Sequence, residues 1–196
     1  MQDHKFSVDI KCGRRRNHSY QFIFKVGDSR IGKIGQFPSV ADISLPQLVR
    51  YRRILGTTMY KEFSRAVGLA THGVGIGSFV YLRRILENLI ESAHQEARKA
   101  APWDEKQYVE GRTVERILLL KGHLPEFMVR NRLAYGILSK GIHELTEDEC
   151  LKYFKPLKSV IELILNEHIL LQEHERNVVE AEQSLADVHK EISEGG

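Results

Sequence analysis

Residues 139–149 read SKGIHELTEDE and set His143 three positions after Lys140. Histidine is the side chain best suited to moving a proton near neutral pH, and a cation one helical turn away can hold a phosphate. Arg130 and Arg132 are the nearest upstream arginines. Three readings of His143 are open at this point. It can be structural, with its ring on its own backbone or on Glu144. It can be a general acid/base, with Lys140 or Arg132 stabilising charge on a phosphorane. It can be a phosphate or nucleotide contact shared with Lys140. The rest of the stretch needs no function, because Thr146 and Glu149 have the spacing of a capping box, with acids where a helix dipole favours them.

A second candidate is the run Lys11, Arg14, Arg15 and Arg16, followed by Asn17, His18, Tyr20, Phe22 and Phe24. Arginines grip phosphate through charge-assisted forks and can stack on bases. These four cations are the candidate nucleic-acid contacts; the alternative is a solvated hairpin loop, since the aromatics sit at core spacing. Cys12 and His18 flank the same loop but lack the second ligand pair that structural zinc requires, so no metal is assigned. Cys12 fits better as a half-core residue. HGVGIGS (residues 72–78) opens a helix as phosphate loops do. The segment before it reads as helix rather than strand, and the lysine and Walker spacing are absent, so an interhelical turn is expected. Acid pairs in the tail fall on solvated helix faces, and no serine nucleophile elbow is present. No cofactor is indicated.

The chain has 196 residues, 42% hydrophobic and 28% charged, which suits one domain with an appendage. No stretch approaches the ~18 uninterrupted apolar residues of a membrane span. The opening MQDHKFSVDIK lacks the apolar core of a signal peptide, and two distant cysteines suggest no disulfide framework. A cytoplasmic location without membrane contact is expected. Charge is uneven: residues 1–60 carry 11 Lys/Arg and 4 Asp/Glu (+7), residues 61–143 carry 13 and 9 (+4), and residues 144–196 carry 5 and 13 (−8). A basic front and an acidic tail can favour an anionic partner, or can cancel within the fold.

The elements that must position these residues follow from periodicity. Phe6, Val8, Ile10 and Cys12 alternate, as do Tyr20, Phe22, Phe24 and Val26, and GDS turns the chain into RIGKI. That predicts a small antiparallel meander over residues 1–38 with one face in need of cover. From Ser44, with Pro46 and Gln47 behind it, helix is expected to about Ala70, weakened at Gly56. Phe79, Leu82, Leu86, Leu89, Ile90 and Ala93 then form one helical stripe that Pro102 closes. Further helical pieces flank Gly122 and Pro125. The fold class is therefore mainly α (α+β): the meander, a bundle over residues 39–170, and a long acidic helix over 171–196. Ile164, Leu171, Val178, Leu185 and Ile192 recur every seven residues, with His174, Ala181 and Val188 as companions, a weak coiled-coil seam. That helix either packs on its own domain or dimerises.

Residues 44–170 resemble the HEPN superfamily (higher eukaryotes and prokaryotes nucleotide-binding helical bundles) in three stretches. SFVYLRRILENLIESA is similar to the second helix of those domains, where an arginine pair and then a glutamate follow a small-aromatic start. VERILLLKGHLPEFMV is similar to the short third helix. NRLAYGILSKGIHELTEDECLKYFKPLKSVIELILNE is similar to the final pair. The resemblance implies an up-down bundle, often a homodimer, common in bacterial antiviral defence and mobile-element proteins. Active members cut RNA with a histidine acid/base and an upstream arginine separated from it by four to six intervening residues. Others bind RNA, nucleotide or partner protein, or assemble, without catalysis. Here His143 stands in the histidine's place, but residues 136–138 are Gly-Ile-Leu. Arg65–His72 and Arg116–His123 fit the spacing in other helices, and about two such matches arise by chance. The resemblance therefore implies a binding or assembly module working through RNA or a partner protein, with a metal-independent endoribonuclease as the alternative.

Overall fold

The computed structural model describes residues 4–14, 18–27, 29–99 and 102–194. The chain divides into two compact units, residues 1–49 and 50–196.

In the first unit, β1 (His4–Lys11), β2 (Ser19–Gly27) and β3 (Arg30–Phe37) form an antiparallel sheet in chain order. The register sets Phe6 opposite Phe24, Val8 opposite Phe22 and Ile10 opposite Tyr20. The predicted apolar positions therefore share one face, and the Phe6 and Phe24 rings stack at 5.2 Å. Helix begins earlier than the Ser44–Pro46 pattern suggests. A short helix, α1 (Val40–Ser44), precedes a 3-10 turn over Leu45–Tyr51. Its cap is Ser39: the Asp42 amide donates to Ser39 Oγ, while Asp42 Oδ2 accepts from the Ser39 amide and hydroxyl. A serine-to-acid box three residues apart thus sits just upstream of the one read from sequence.

The second unit is helical throughout: α2 (Arg52–Thr71), α3 (Gly75–Ala97), α4 (Glu105–Glu110), α5 (Thr113–Leu119), α6 (Glu126–Arg130), α7 (Leu133–His143) and α8 (Glu147–Glu194). Helix α3 is the central element and packs against α2, α7 and α8. Every residue of its predicted stripe, Phe79 through Ala93, is buried. Gly56 breaks α2 with φ +65° and ψ 177°, a conformation open to glycine and costly for side chains. Helix α4 has no counterpart in the sequence reading. Its cap, Asp104, accepts from the Gln107 amide at 3.0 Å.

Two glycines set how closely the helices approach. A Cβ on Gly75 would lie 2.8 Å from Cys150 Cβ and 2.9 Å from the Leu151 amide nitrogen of α8. A Cβ on Gly141 would lie 2.7 Å from Phe79 Cε2 and closer still to Cδ2. Neither gap admits a methyl group, so both positions are fixed by backbone-to-neighbour contact.

The 48 residues of α8 contain one apolar column, every seventh residue from Cys150 to Ile192. Cys150, Leu157 and Ile164 are at most 5% exposed, whereas Leu171, Val178, Leu185 and Ile192 are 40–72% exposed. The bundle covers the first part of the column and leaves the rest bare. Among the described residues, no helix is long and apolar enough to cross a membrane.

Candidate functional site

Helix α7 carries the predicted catalytic group. Arg132 caps its start and His143 ends it, so they stand about 16 Å apart along the axis at 1.5 Å per residue. Arg132 is turned onto its own turn: Nη1 donates to the Val129 carbonyl at 3.1 Å, and its buried Nε has no partner. Lys140 Nζ is 3.9 Å from Glu144 Oε2, both side chains mostly exposed. The His143 ring is exposed and, among the described residues, bonds neither its backbone nor Glu144. Of the three, only Lys140 and His143 share one end of the helix. The glycine between them, Gly141, is the packing residue against Phe79.

The charged signature on α3 is used for bracing. Arg83 Nε lies 2.8 Å from Glu87 Oε1, its Nη2 donates to Tyr135 Oη at 3.0 Å, and that hydroxyl donates to Glu87 Oε1 at 2.9 Å. The triangle ties α3 to α7. Arg84 reaches the other way, with Nη2 2.8 Å from Oε1 of Glu62, a residue of α2 only 4% exposed. The second oxygen, Glu62 Oε2, has no hydrogen-bond partner. Removing the guanidinium would leave a buried carboxylate uncompensated, a loss larger than that of the pair itself. Arg84→Ala is therefore expected to cost about 2 kcal/mol, and the Arg84→Ala/Glu62→Gln double variant less. Denaturant midpoints check this; a double variant no more stable than the single would contradict it.

Helix N-termini that could hold an anion are occupied by carboxylates of α8. Glu147 Oε2 accepts from the Gly75 and Ile76 amides, the latter at 3.0 Å. Glu167 accepts from the Glu126 and Phe127 amides at 2.9 and 2.8 Å. The HGVGIGS turn is thus the expected interhelical turn, with its helix dipole already satisfied from within.

The basic run falls on the β1–β2 connection. Lys11 ends β1, and Arg14 is exposed in the loop. Neither has an acidic partner among the described residues. Arg15 and Arg16 lie outside the described residues. No group of three or more His, Cys, Asp or Glu suited to a metal ion occurs among the described residues. Burial raises the Cys150 thiol above its ordinary range, with Glu147 and Glu149 adding to it, so it is no ready nucleophile.

Sequence reasoning missed one concavity of the helical unit. Where α8 leaves the bundle, three contiguous hollows of about 480, 500 and 380 Å³ share Gln172. Arg50, Arg53 and Ile54 line one side, and His123, Leu124 and His168 the other. His123 and His168 reach one cleft through the Gly122–Pro125 turn, a closure no sequence period announces. The buried Nδ1 of His168 has no partner. Burial pushes the His168 ring below its ordinary 6.5, with the Glu175 charge pulling back weakly. A histidine depressed by folding binds its proton more readily when unfolded. Its stabilising contribution is complete above about pH 6.5 and lost as pH falls through the folded value. Acid titration of stability should flatten over that window in His168→Gln; an unchanged slope would assign the loss elsewhere.

A third histidine, His94, sits in an aromatic cluster, and its buried Nδ1 has no hydrogen-bond partner. Its ring stacks on Tyr108 at 3.7 Å, and Nε2 lies 3.1 Å from Glu105 Oε2, which also accepts from Trp103 Nε1 at 2.8 Å. Those contacts, the Trp103 bond foremost, hold the Glu105 carboxyl below its ordinary range. The cluster fastens α4 to the end of α3. Compared with known proteins, the chain matches no family model, no curated protein and no solved structure.

Proposed function

We propose that the chain is a HEPN-like assembly module of a defence or mobile-element system, acting as a homodimer paired through the second half of α8 and without catalysis at α7. The carrying observation is the column on α8: four large apolar side chains continue at seven-residue spacing beyond the bundle, exposed to water. A solvated helix of that length has no need of such a stripe, whereas a paired one does. Catalysis at His143 has less support, because Arg132 sits at the far end of α7 and Lys140 is engaged by Glu144. Light scattering on the full chain across micromolar concentrations tests the reading. A dimer mass that falls on dilution is expected; a monomer at every concentration would overturn it.

A second reading concerns RNA. Lys11 and Arg14 lie at a hairpin end with no carboxylate against them among the described residues, and the sequence adds Arg15 and Arg16. Phosphate contacts of this kind release counterions, so affinity falls as salt rises. Arg14→Ala/Arg15→Ala/Arg16→Ala should weaken binding of single-stranded RNA and reduce the salt slope by about 2–3. Binding indifferent to salt, or to the triple substitution, would remove this reading.

A further inference from the structure

We infer that the second copy lies antiparallel along α8, so that the end of each α8 docks at the bundle-end cleft of the other protomer. This rests on the proposed self-association and specifies its geometry. Three independent observations carry it.

The first is steric. The bare residues Leu171 to Ile192 continue the same column as Cys150, Leu157 and Ile164, which face the interior of the bundle. A partner covering the bare part therefore lies on the side of α8 where α2 and α3 pack. A parallel partner in register would have to send its own residues 150–164 through space those helices fill, and protein interiors are close-packed. An antiparallel partner ends where the bundle begins. Its own bundle then sits at the far end of the seam, about 26 Å away for the 17 steps from Leu171 to Val188.

The second is layer volume. A parallel pair sets like against like, with Ala181 facing Ala181 and His174 facing His174. One layer is then hollow and the next holds two imidazoles. Reversing one helix sets each companion residue opposite a column residue such as Leu185 or Val178. Large meets small, and each imidazole meets an aliphatic chain.

The third is charge. From Leu171 onward α8 carries seven carboxylates against Arg176 and Lys190. The cleft mouth presents Arg50 and Arg53 above the apolar Ile54, Ile169 and Leu170. Arg53 has no acidic partner among the described residues. Glu173 at the same mouth opposes an acidic guest, so the two arginines decide the docking. In the antiparallel arrangement Glu191 of one protomer arrives at this mouth, with Ile192 as the apolar contact.

The test is an interspin distance in the full chain. A nitroxide on Ser193→Cys, in a Cys12→Ser background, is off the seam, and the remaining Cys150 is buried. The antiparallel dimer, with Leu171 opposite Val188 and His174 opposite Leu185, predicts a separation on the order of 40 Å, from about 27 residues of helix at 1.5 Å each. A separation near the ~10 Å between packed helices would mean a parallel pair and overturn this inference while leaving self-association standing. A monomer would instead remove the reading beneath it. Arg50→Glu/Arg53→Glu should raise the dimer dissociation constant about tenfold. An unchanged constant would overturn the docking at the cleft.

Discussion

Gly141→Ala is expected to destabilise the helical unit by about 3 kcal/mol, the upper part of the usual range for overpacking. The added methyl would meet the ring of Phe79, 2.7 Å from Cε2, and Phe79 is wholly buried with no room to yield. Helix propensity runs the other way. Alanine is favoured over glycine inside a helix by about 1 kcal/mol, so an exposed glycine would gain from the change. Gly136, five residues earlier on the same helix, meets nothing within 4 Å and serves as the control: Gly136→Ala should be neutral or stabilising. For a domain of this size, 3 kcal/mol corresponds to a fall of about 6–12 °C in Tm. Phe79→Leu added to Gly141→Ala should recover part of the loss. A Gly141→Ala protein as stable as wild type would show that α7 and α3 do not meet as described. The same result would return Gly141 to the functional candidates of SKGIH.

Ending the chain after Arg176 is expected to convert the dimer to a monomer without unfolding the bundle. The cut lies beyond Glu167, whose carboxylate caps α6, and beyond His168 and Gln172 in the cleft. It removes Val178, Leu185 and Ile192 from the column. A cut after Asn166 would be a poorer test, because it also takes away the α6 cap. The magnitudes favour a reversible dimer. Eight partly exposed side chains at about 1–2 kcal/mol each give on the order of 8–16 kcal/mol of gross burial. Association costs on the order of 4–15 kcal/mol in lost freedom and ordering. The surplus is modest, so losing three of four column residues per chain should abolish pairing at micromolar concentration. Light scattering reads the mass, and far-UV circular dichroism and Tm confirm that the bundle persists. A truncated chain that keeps the dimer mass would move the interface to the bundle itself. Leu185→Glu should reproduce the truncation, since a carboxylate in the seam is desolvated without a partner.

Much of this fold is legible because it is periodic. Alternation sets Phe6, Val8 and Ile10 against Phe24, Phe22 and Tyr20, and the six positions of the 3.6-residue stripe from Phe79 to Ala93 are all buried, with Ile85 beside them. Local hydrogen bonding fixes the Thr146–Glu149 capping box equally well: Thr146 N and Oγ1 both donate to Glu149 Oε2 at 2.9 Å. Those bonds hold Glu149 below its ordinary range. The seven-residue column of α8 is likewise plain in the sequence. These features depend on neighbours within a few residues, so the chain alone determines them.

What the sequence could not decide is which side chains meet across long separations. It left open whether His143 would find an arginine, and the fold sets Arg132 at the opposite end of α7. It treated Arg83, Arg84 and Glu87 as a family signature, and the fold spends them on Tyr135 and Glu62. It weighed an anion at the HGVGIGS helix start, and α8 fills that position with Glu147, 72 residues away. It gave His123 and His168 no common role, and the departure of α8 from the bundle gathers them into one cleft. The physical reason is the same in each case. Periodicity says which face of an element is buried, but the partner on that face is chosen by packing among elements distant in sequence. Gly75 and Gly141 allow that packing to be close, and the bundle's length determines where the apolar column of α8 is left bare.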